Sequence, residues 1–239
     1  MLFTKTTFFV AALACISALT VDAHVAIRKP CPRNGPFAGC PKPSRGEPDY
    51  DITAPIGTHD DVKQPICKTS MVQTKRTIMK AGQTIKTEYQ VGAAHGGGHC
   101  QWALSYDNGK TWVVFQTLIR DCLKGVPNGG NYSVNVKIPK DAPSGKAIFQ
   151  WIWNNAVGNR ELYSNCVDVE IQGKKNGAIK GVVPLFANYG KKSLLIDEFP
   201  RANDKDAHEA YAKRKAITVR ASGAAAAAPK TKKTKANKH

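Results

Sequence analysis

The segment QWALSYDNGKTWVVFQTLI, residues Gln101–Ile119, decides the fold class of this chain. Two stretches rich in aromatic and aliphatic residues, Gln101–Tyr106 and Lys110–Ile119, flank the tripeptide Asp107-Asn108-Gly109. An Asn-Gly pair favours a tight hairpin turn because both residues tolerate positive φ. The segment therefore predicts two antiparallel strands joined by a short turn.

The sequence around this hairpin repeats the same pattern. Short β-type segments follow one another at a spacing of roughly ten residues, with Pro, Gly and Asn turns and no helical period between them. This spacing predicts an all-β fold, an antiparallel β-sandwich of immunoglobulin or fibronectin-III type with long loops. The segments are Thr77–Met79, Thr84–Val91, Asn131–Ile138, Ala147–Trp153 and Val167–Ile171.

The N-terminal residues have the pattern of a secretory signal peptide. Lys5 supplies a positive charge, and the apolar run Phe8–Leu19 is shorter than the roughly 20 residues that a membrane anchor needs. Val21-Asp22-Ala23 then places small residues where a signal peptidase reads them. We expect residues 1–23 to be removed, leaving a secreted, extracellular chain that begins at His24 and has no membrane partner.

The remaining chain divides where its composition changes. Residues 24–173 carry the β pattern and suffice for one domain with a core. Residues 174–200 predict a C-terminal extension. Residues 201–239 predict a basic low-complexity tail, disordered and dispensable for stability, in which Asp206–Lys215 could form a short helix.

The formal net charge is +17, and the tail, with eleven Lys/Arg and three acids, carries +8 of it. A secreted chain does not ordinarily meet nucleic acid, so the charge favours an anionic cell-wall polymer as partner of the tail. A basic surface kept for solubility is the alternative.

The cysteines agree with an oxidising compartment. Six remain after removal of the signal peptide, and they allow 15 disulfide pairings. The preferred set closes two short loops and one long one; a zinc site is disfavoured because no C-x-x-C pair is present. Asn131 begins an N-glycosylation sequon, which only a secreted chain can use. The preferred pairs are Cys31–Cys40, Cys100–Cys122 and Cys67–Cys166.

A histidine at the N-terminus is a metal chelator. Its α-amine, with an ordinary pKa of about 7.7–8.0, and its own Nδ1 can bind one ion together. A second imidazole would complete the tetragonal nitrogen set that suits Cu(II). The glycine-rich segment Ala93–Gln101 offers two candidates, His95 on the loop and His99 beside Cys100, and the residues alone leave both open.

A third segment, Gly158–Cys166, can add oxygen ligands. With the period of two of a strand, Glu161, Tyr163 and Asn165 share one face. Tyr163 could then be an axial ligand and Glu161 a hydrogen-bonding neighbour of the metal. The alternative for Tyr163 is a core tyrosine with a satisfied hydroxyl.

Over residues 24–173 these motifs resemble fungal lytic polysaccharide monooxygenases, most nearly the eleventh auxiliary-activity family, whose described activity is on chitin. The resemblance implies an immunoglobulin-like sandwich with a flat copper face. The start from His24 to Pro32 departs from that family's usual sequence. The motifs that carry the resemblance are His24 after a signal peptide, His95-Gly-Gly-Gly-x-Cys100-Gln, Ser105-Tyr-Asp-x-Gly-x-Thr-Trp112 and Gly158-Asn-Arg-Glu-x-Tyr-x-Asn-Cys166.

The resemblance also implies a site. One copper ion per chain would be held by the amine and Nδ1 of His24 and by His95, with Tyr163 axial. It favours His95 over His99. Glu161, assigned with Tyr163 as catalytic, would line with Ala93 the pocket where dioxygen or hydrogen peroxide is activated by an external electron donor.

The implied function is oxidative cleavage of glycosidic bonds in an insoluble polysaccharide by a secreted monomer, with chitin favoured over cellulose and no nucleic-acid partner. A non-catalytic copper-binding protein is one alternative, against which the axial Tyr163 argues. A carbohydrate-binding module is another, but it would have no use for a processed His24. A glycoside hydrolase is disfavoured because no acid pair is evident.

Overall fold

The computed structural model describes residues 24–199 and 206–221, and the predicted signal peptide lies outside these ranges. Within them the regular secondary structure is almost entirely β-strand, and none of the helices has the length and apolar character of a membrane span. The elements are β1 Val25–Lys29, β2 Gly57–Thr58, β3 Thr77–Lys80, β4 Thr84–Val91, β5 Gly98–Ser105, β6 Val113–Cys122, β7 Asn131–Lys137, β8 Gly145–Asn155, β9 Glu161–Gln172, β10 Ile179–Val182, α1 His208–Ala212 and β11 Ala216–Val219.

The strands form two sheets. The smaller has the order β1-β4-β7 and the larger the order β11-β10-β6-β5-β8-β9-β2, with β3 added in parallel to β9. Most neighbours are antiparallel, and the longest pairing joins β8 to β9 from Gly145–Ile171 to Asn154–Leu162. The predicted all-β sandwich is confirmed.

The turn between β5 and β6 forms as the Asn-Gly pair predicts. Asn108 and Gly109 both have positive φ, 59° and 84°. The Asp107 carboxylate accepts hydrogen bonds from the Ser105 hydroxyl and the Thr111 amide, both at 2.8 Å. These bonds fix the turn, and β5 and β6 are neighbours in the large sheet. The pairing between them, Gly98 with Asp121, is parallel, so the predicted antiparallel ladder does not follow the turn.

Aromatic side chains fill the space between the sheets. Trp102 on β5 and Trp151 and Trp153 on β8 are fully buried. The indole of Trp102 donates to the hydroxyl of Tyr89 on β4 at 2.9 Å, so the polar atoms of both rings are satisfied across the sandwich. The core is therefore held by large rings from both sheets.

The long N-terminal loop region is tied to the sandwich. The three preferred disulfides, Cys31–Cys40, Cys67–Cys166 and Cys100–Cys122, are all present, which confirms the predicted pairing. The buried guanidinium of Arg33 donates two bonds of 2.8 Å to the carboxylate of Asp168 on β9. Breaking such a buried pair on one side costs about 3–5 kcal/mol, so this contact anchors the loop.

Residues 206–221 require a correction of the predicted disordered tail. β11 pairs with β10 over four residues and extends the large sheet beyond Gly173. Tyr211 of α1 is buried, and its hydroxyl donates to the side-chain oxygen of Asn154 at 2.9 Å. The sequence does not predict this packing, because the few apolar residues of the segment have no regular period and its polar contacts are made with residues far away in the sequence.

Because this segment packs on the sandwich, its removal should destabilise the fold. Ending the chain after Phe199 removes β11 and exposes the surface that Tyr211 and Val219 cover, a loss of roughly 1.5–3 kcal/mol per buried side chain. We expect the melting temperature to fall on the order of 10 °C. The control is a chain that ends after Ala221 and keeps both elements, and calorimetry of the two should separate them. Equal melting of both with the full chain would contradict the docking.

Candidate metal centre

His24 is brought to its place by the pairing of β1 with β4. Val25 lies opposite Val91, and the amide of Gly92 donates to the carbonyl of His24 at 2.6 Å. A Cβ at position 92 would lie 3.0 Å from that carbonyl oxygen and 3.2 Å from the Cβ of His24, so a side chain there would require His24 to move by a few tenths of an ångström. His24 therefore lies beside the start of the loop that carries His95.

The loop from Ala93 to Gly97 turns sharply. His95 itself has a φ of 48°, which is uncommon for a residue other than glycine, and the three glycines after it also have positive φ. The neighbouring turn holds the loop, because Val157 donates its amide to the His95 carbonyl at 3.0 Å and Ala156 donates to the Gly97 carbonyl at 2.8 Å. The imidazole of His95 thus has a fixed direction.

The ring of His95 has one nitrogen in use and one without a partner. Its Nδ1 lies 2.6 Å from the carbonyl of Val157, and because a carbonyl only accepts, Nδ1 carries the proton. Its Nε2 is buried and has no hydrogen-bond partner within the described part of the chain. Desolvation is the largest cause that lowers the pKa of His95, so the ring is neutral at pH 7 and presents a lone pair on Nε2.

His24 and Glu161 both act on the ring of His95. The electrostatic influence of His24 lowers the pKa of His95, whereas the carboxylate of Glu161 raises it, so both groups lie within electrostatic range of that ring. Ala93, next along the loop, is buried. The residues predicted from separate parts of the sequence are therefore close to one another.

Tyr163 and Glu161 stand on β9 at the opposite wall. The hydroxyl of Tyr163, whose side chain is buried, donates to Glu161 Oε2 at 2.6 Å. The Tyr163 ring packs at 4.6 Å from that of Trp153, which in turn lies 6.2 Å from the ring of His95. The two residues share a face, as the period of the strand predicts, and the Trp153 ring neighbours both the Tyr163 ring and the His95 ring.

His99 has a structural place. Its Nδ1 accepts from the amide of Arg120 at 3.0 Å and its Nε2 donates to the carbonyl of Asp206 at 2.7 Å. Phe199 stacks on the ring at 4.5 Å, and desolvation lowers the pKa of His99 to about 4. Both ring nitrogens are occupied by main-chain groups, so His99 has no atom left for a metal.

Two contacts at the site escape sequence reasoning. The guanidinium of Arg160 donates to the carbonyls of Gly158 and Asn155, and Glu198 accepts from the amide of Gly158 at 2.6 Å. A Cβ at Gly158 would lie 2.7 Å from His95 Nδ1, so the glycine is needed there. The segment Gly158-Asn159-Arg160 signals a tight turn, but nothing in the sequence points from it to Glu198, forty residues away.

Comparison with known proteins matches most of the described domain. A family model described as "Lytic polysaccharide mono-oxygenase, cellulose-degrading" matches residues 28–169. An Aspergillus fumigatus protein, AA11 family lytic polysaccharide monooxygenase A, is 39% identical over 67% of this chain and 70% of its own length. The chain belongs to the AA11 lytic polysaccharide monooxygenases.

Further similarities are more distant. AA11 family lytic polysaccharide monooxygenase B, also from Aspergillus fumigatus, is 28% identical over 67% of this monooxygenase and 38% of its own length, so the chain spans well under half of that relative. Among solved structures, a cellulose-active polysaccharide monooxygenase from M. thermophila has a TM-score of 0.43 at 14% identity, covering 71% of this chain and 86% of that one.

The donor set of this monooxygenase fits the copper of its family. Within the described ranges no group of three or more His, Cys, Asp or Glu side chains could hold a metal. A copper site built from two imidazoles and a main-chain amine needs no such group. The decisive feature is the buried Nε2 of His95, since a buried polar atom without a partner is costly and a bound ion would satisfy it.

Proposed function

We propose that this chain is a secreted, copper-dependent lytic polysaccharide monooxygenase that cleaves chitin oxidatively, with cellulose as second candidate substrate. The observation that carries the proposal is the ring of His95. Its Nδ1 is fixed to the Val157 carbonyl, its buried Nε2 has no hydrogen-bond partner among the described residues, and His24 acts electrostatically on the same ring. That pattern, with one nitrogen fixed by a carbonyl and the other exposing a lone pair, is typical of a metal-ligating histidine.

Copper would be held by the α-amine and Nδ1 of His24 and by Nε2 of His95, and the hydroxyl of Tyr163 would supply an additional oxygen donor. When bound, copper supplies one-electron chemistry that lets dioxygen or hydrogen peroxide, with an external reductant, oxidise a carbon beside a glycosidic bond. The residues of the chain position the side chains around the metal site. Glu161 accepts the hydroxyl proton of Tyr163 in a hydrogen bond and so keeps that ring oriented.

In this proposal Glu161 also acts as a proton acceptor and donor. Its side chain is 7% exposed, so it lies at the border between the core and the open surface. The amide of Glu161 donates to the side-chain oxygen of Asn155, which holds the residue at the start of β9. A carboxylate fixed in this way can exchange a proton with the oxygen co-substrate at the site.

Secretion, glycosylation and monomeric state remain part of the proposal. Three disulfides suit an oxidising compartment. Asn131, the sequon residue, is exposed at the start of β7 and accessible to a glycan. The residues after Ala221, outside the described ranges, keep their expected role as a basic tether to an anionic wall polymer.

The substrate is tested by incubating copper-loaded protein beginning at His24 with chitin and with cellulose, each with ascorbate. Mass spectrometry of the soluble fraction should find oxidised chitooligosaccharides that disappear when reductant is omitted or copper is removed with a chelator. Oxidised products from cellulose alone would replace chitin as the substrate. Tight copper binding without oxidised products from any glycan would instead favour a non-catalytic copper-binding protein.

A further inference from the structure

The end of the sandwich opposite the metal site carries a groove. β8 runs from Gly145 to Asn155, and its last residues lie beside the loop of His95. Eleven residues of strand span roughly 33 Å, so the two ends of the domain are well separated. At the Gly145 end, a groove of about 580 Å³ lies between the segment Pro139–Asp141 and the turn that leads into β10.

Three lysines line this groove with a single acid. Lys140, Lys174 and Lys180 are exposed, and the ammonium of Lys174 pairs with the carboxylate of Asp141. The pKa of Asp141 is lowered first by that hydrogen bond and then by the charges of Lys174, Lys140 and Lys180, so all three ammonium groups act on one carboxylate. One negative charge leaves two positive charges in the groove without a counter-charge.

The surface around the groove carries further lysines. Lys80 lies opposite Gln172 in the β3–β9 pair, and Lys146 lies opposite Glu170 in the β8–β9 pair, both at this end. The lysine next to Lys174, Lys175, is also exposed. Positive charges outnumber acids over the whole end, which would attract a polymer bearing many negative groups.

We propose that this groove, defined by Lys140, Lys174 and Lys180, binds an acidic polysaccharide. The proposal goes beyond the oxidative function and does not depend on copper. Lysines are compact point charges on flexible stems, which suits carboxylate or sulfate groups spaced irregularly along a glycan. Single-stranded nucleic acid is disfavoured because no residue lining the groove is aromatic, whereas base stacking needs such rings.

The location gives the groove a role. A glycan held at the lysine end leaves the His95 end, roughly 33 Å away, free to meet a second polysaccharide. The domain would then be retained on an acidic wall polymer while its metal face reaches an insoluble neutral chain. Retention of this kind raises the local concentration of the enzyme near its substrate.

The test uses the full chain beginning at His24 and polygalacturonate as probe. In the groove variant, Lys140, Lys174 and Lys180 are each replaced by Gln, as in Lys140→Gln. In the control variant, Lys42, Lys63 and Lys86, which are exposed and do not line the groove, are replaced in the same way. Both variants lose three charges, and both keep the basic tail.

Affinity electrophoresis at about 0.01 M salt, where the Debye length is about 30 Å, should show polygalacturonate binding by the unmodified chain. The groove variant should bind about tenfold more weakly, the combined size expected for three exposed charge pairs, and the control variant less than about twofold more weakly. At about 1 M salt, with a Debye length of about 3 Å, the difference should disappear.

Equal weakening in both variants would overturn the proposal, because binding would then follow net charge alone. Binding of single-stranded DNA, but not of polygalacturonate or heparin, would also overturn it. Copper titration of the groove variant should match the unmodified chain, so loss of glycan binding is distinguishable from failure of the copper site. Heparin, which carries sulfate in place of carboxylate, then shows which anionic group is preferred.

Discussion

A protein with one extra residue before His24 is expected to bind Cu(II) more than about 100-fold more weakly than the protein that begins at His24. Losing a group outside the ligand shell already costs about 10–100-fold, and here a ligand itself is lost. An added residue converts the α-amine into an amide, whose nitrogen lone pair is delocalised into the carbonyl and which binds a metal only after losing its N–H proton. The chelate formed by one residue with its own Nδ1 then cannot close.

The fold should not respond to this change. The contact that places His24 is its carbonyl, which accepts from the amide of Gly92, and an added residue leaves that carbonyl unchanged. The matched control is the same protein after a protease has removed the extra residue. Titration calorimetry of both forms, with melting temperatures alongside, measures the effect. Equal copper affinity in the two forms would contradict a site that includes the amine.

The second large effect separates His95 from His99. Replacing His95 should abolish tight copper binding, because its Nε2 is the proposed second imidazole ligand and has no other partner among the described residues. His95→Asn is preferred to His95→Ala, since the φ of 48° is tolerated by Asn better than by most residues. The melting temperature should fall by only a few degrees, because the substitution loses one hydrogen bond, from Nδ1 to the Val157 carbonyl, worth about 0.5–1.5 kcal/mol.

His99→Ala should behave in the opposite way. The substitution removes bonds to Arg120 and Asp206 and the stacking with Phe199, so it should destabilise the fold by about 2–4 kcal/mol. Copper affinity, measured below the melting temperature, should remain. If His99→Ala lost copper and His95→Asn retained it, the ligand would be His99 and the account of the loop would be wrong.

Much of the fold could be predicted because it depends on local signals. Asn108-Gly109 sets a turn whose geometry only a few residues tolerate, and alternating segments set the strands around it. The disulfide pairing was also predicted correctly, although the sequence alone leaves fifteen arrangements. The turn and the strands need little knowledge of distant contacts, whereas the Cys67–Cys166 bond joins residues 99 apart in the sequence.

The rest depends on contacts made far along the chain. The choice between His95 and His99 depends on whether the ring nitrogens already have hydrogen-bond partners. One partner of His99 is the carbonyl of Asp206, which is 107 residues away in the sequence. The docking of residues 206–221 has the same cause, because its polar anchors pair with groups on strands that the segment does not adjoin in sequence. Arg214, for example, donates to Gln101 and Thr117. Composition alone suggested a disordered tail.

The electron paramagnetic resonance spectrum of Cu(II) bound to protein beginning at His24 reports the ligands of the ion themselves. We expect an axial spectrum with superhyperfine coupling to three nitrogens, those of the amine, His24 Nδ1 and His95 Nε2. The His95→Asn protein should lose that spectrum, and His99→Ala should keep it. A spectrum with fewer coupled nitrogens, or one that is unchanged when a residue precedes His24, would contradict the proposed copper site.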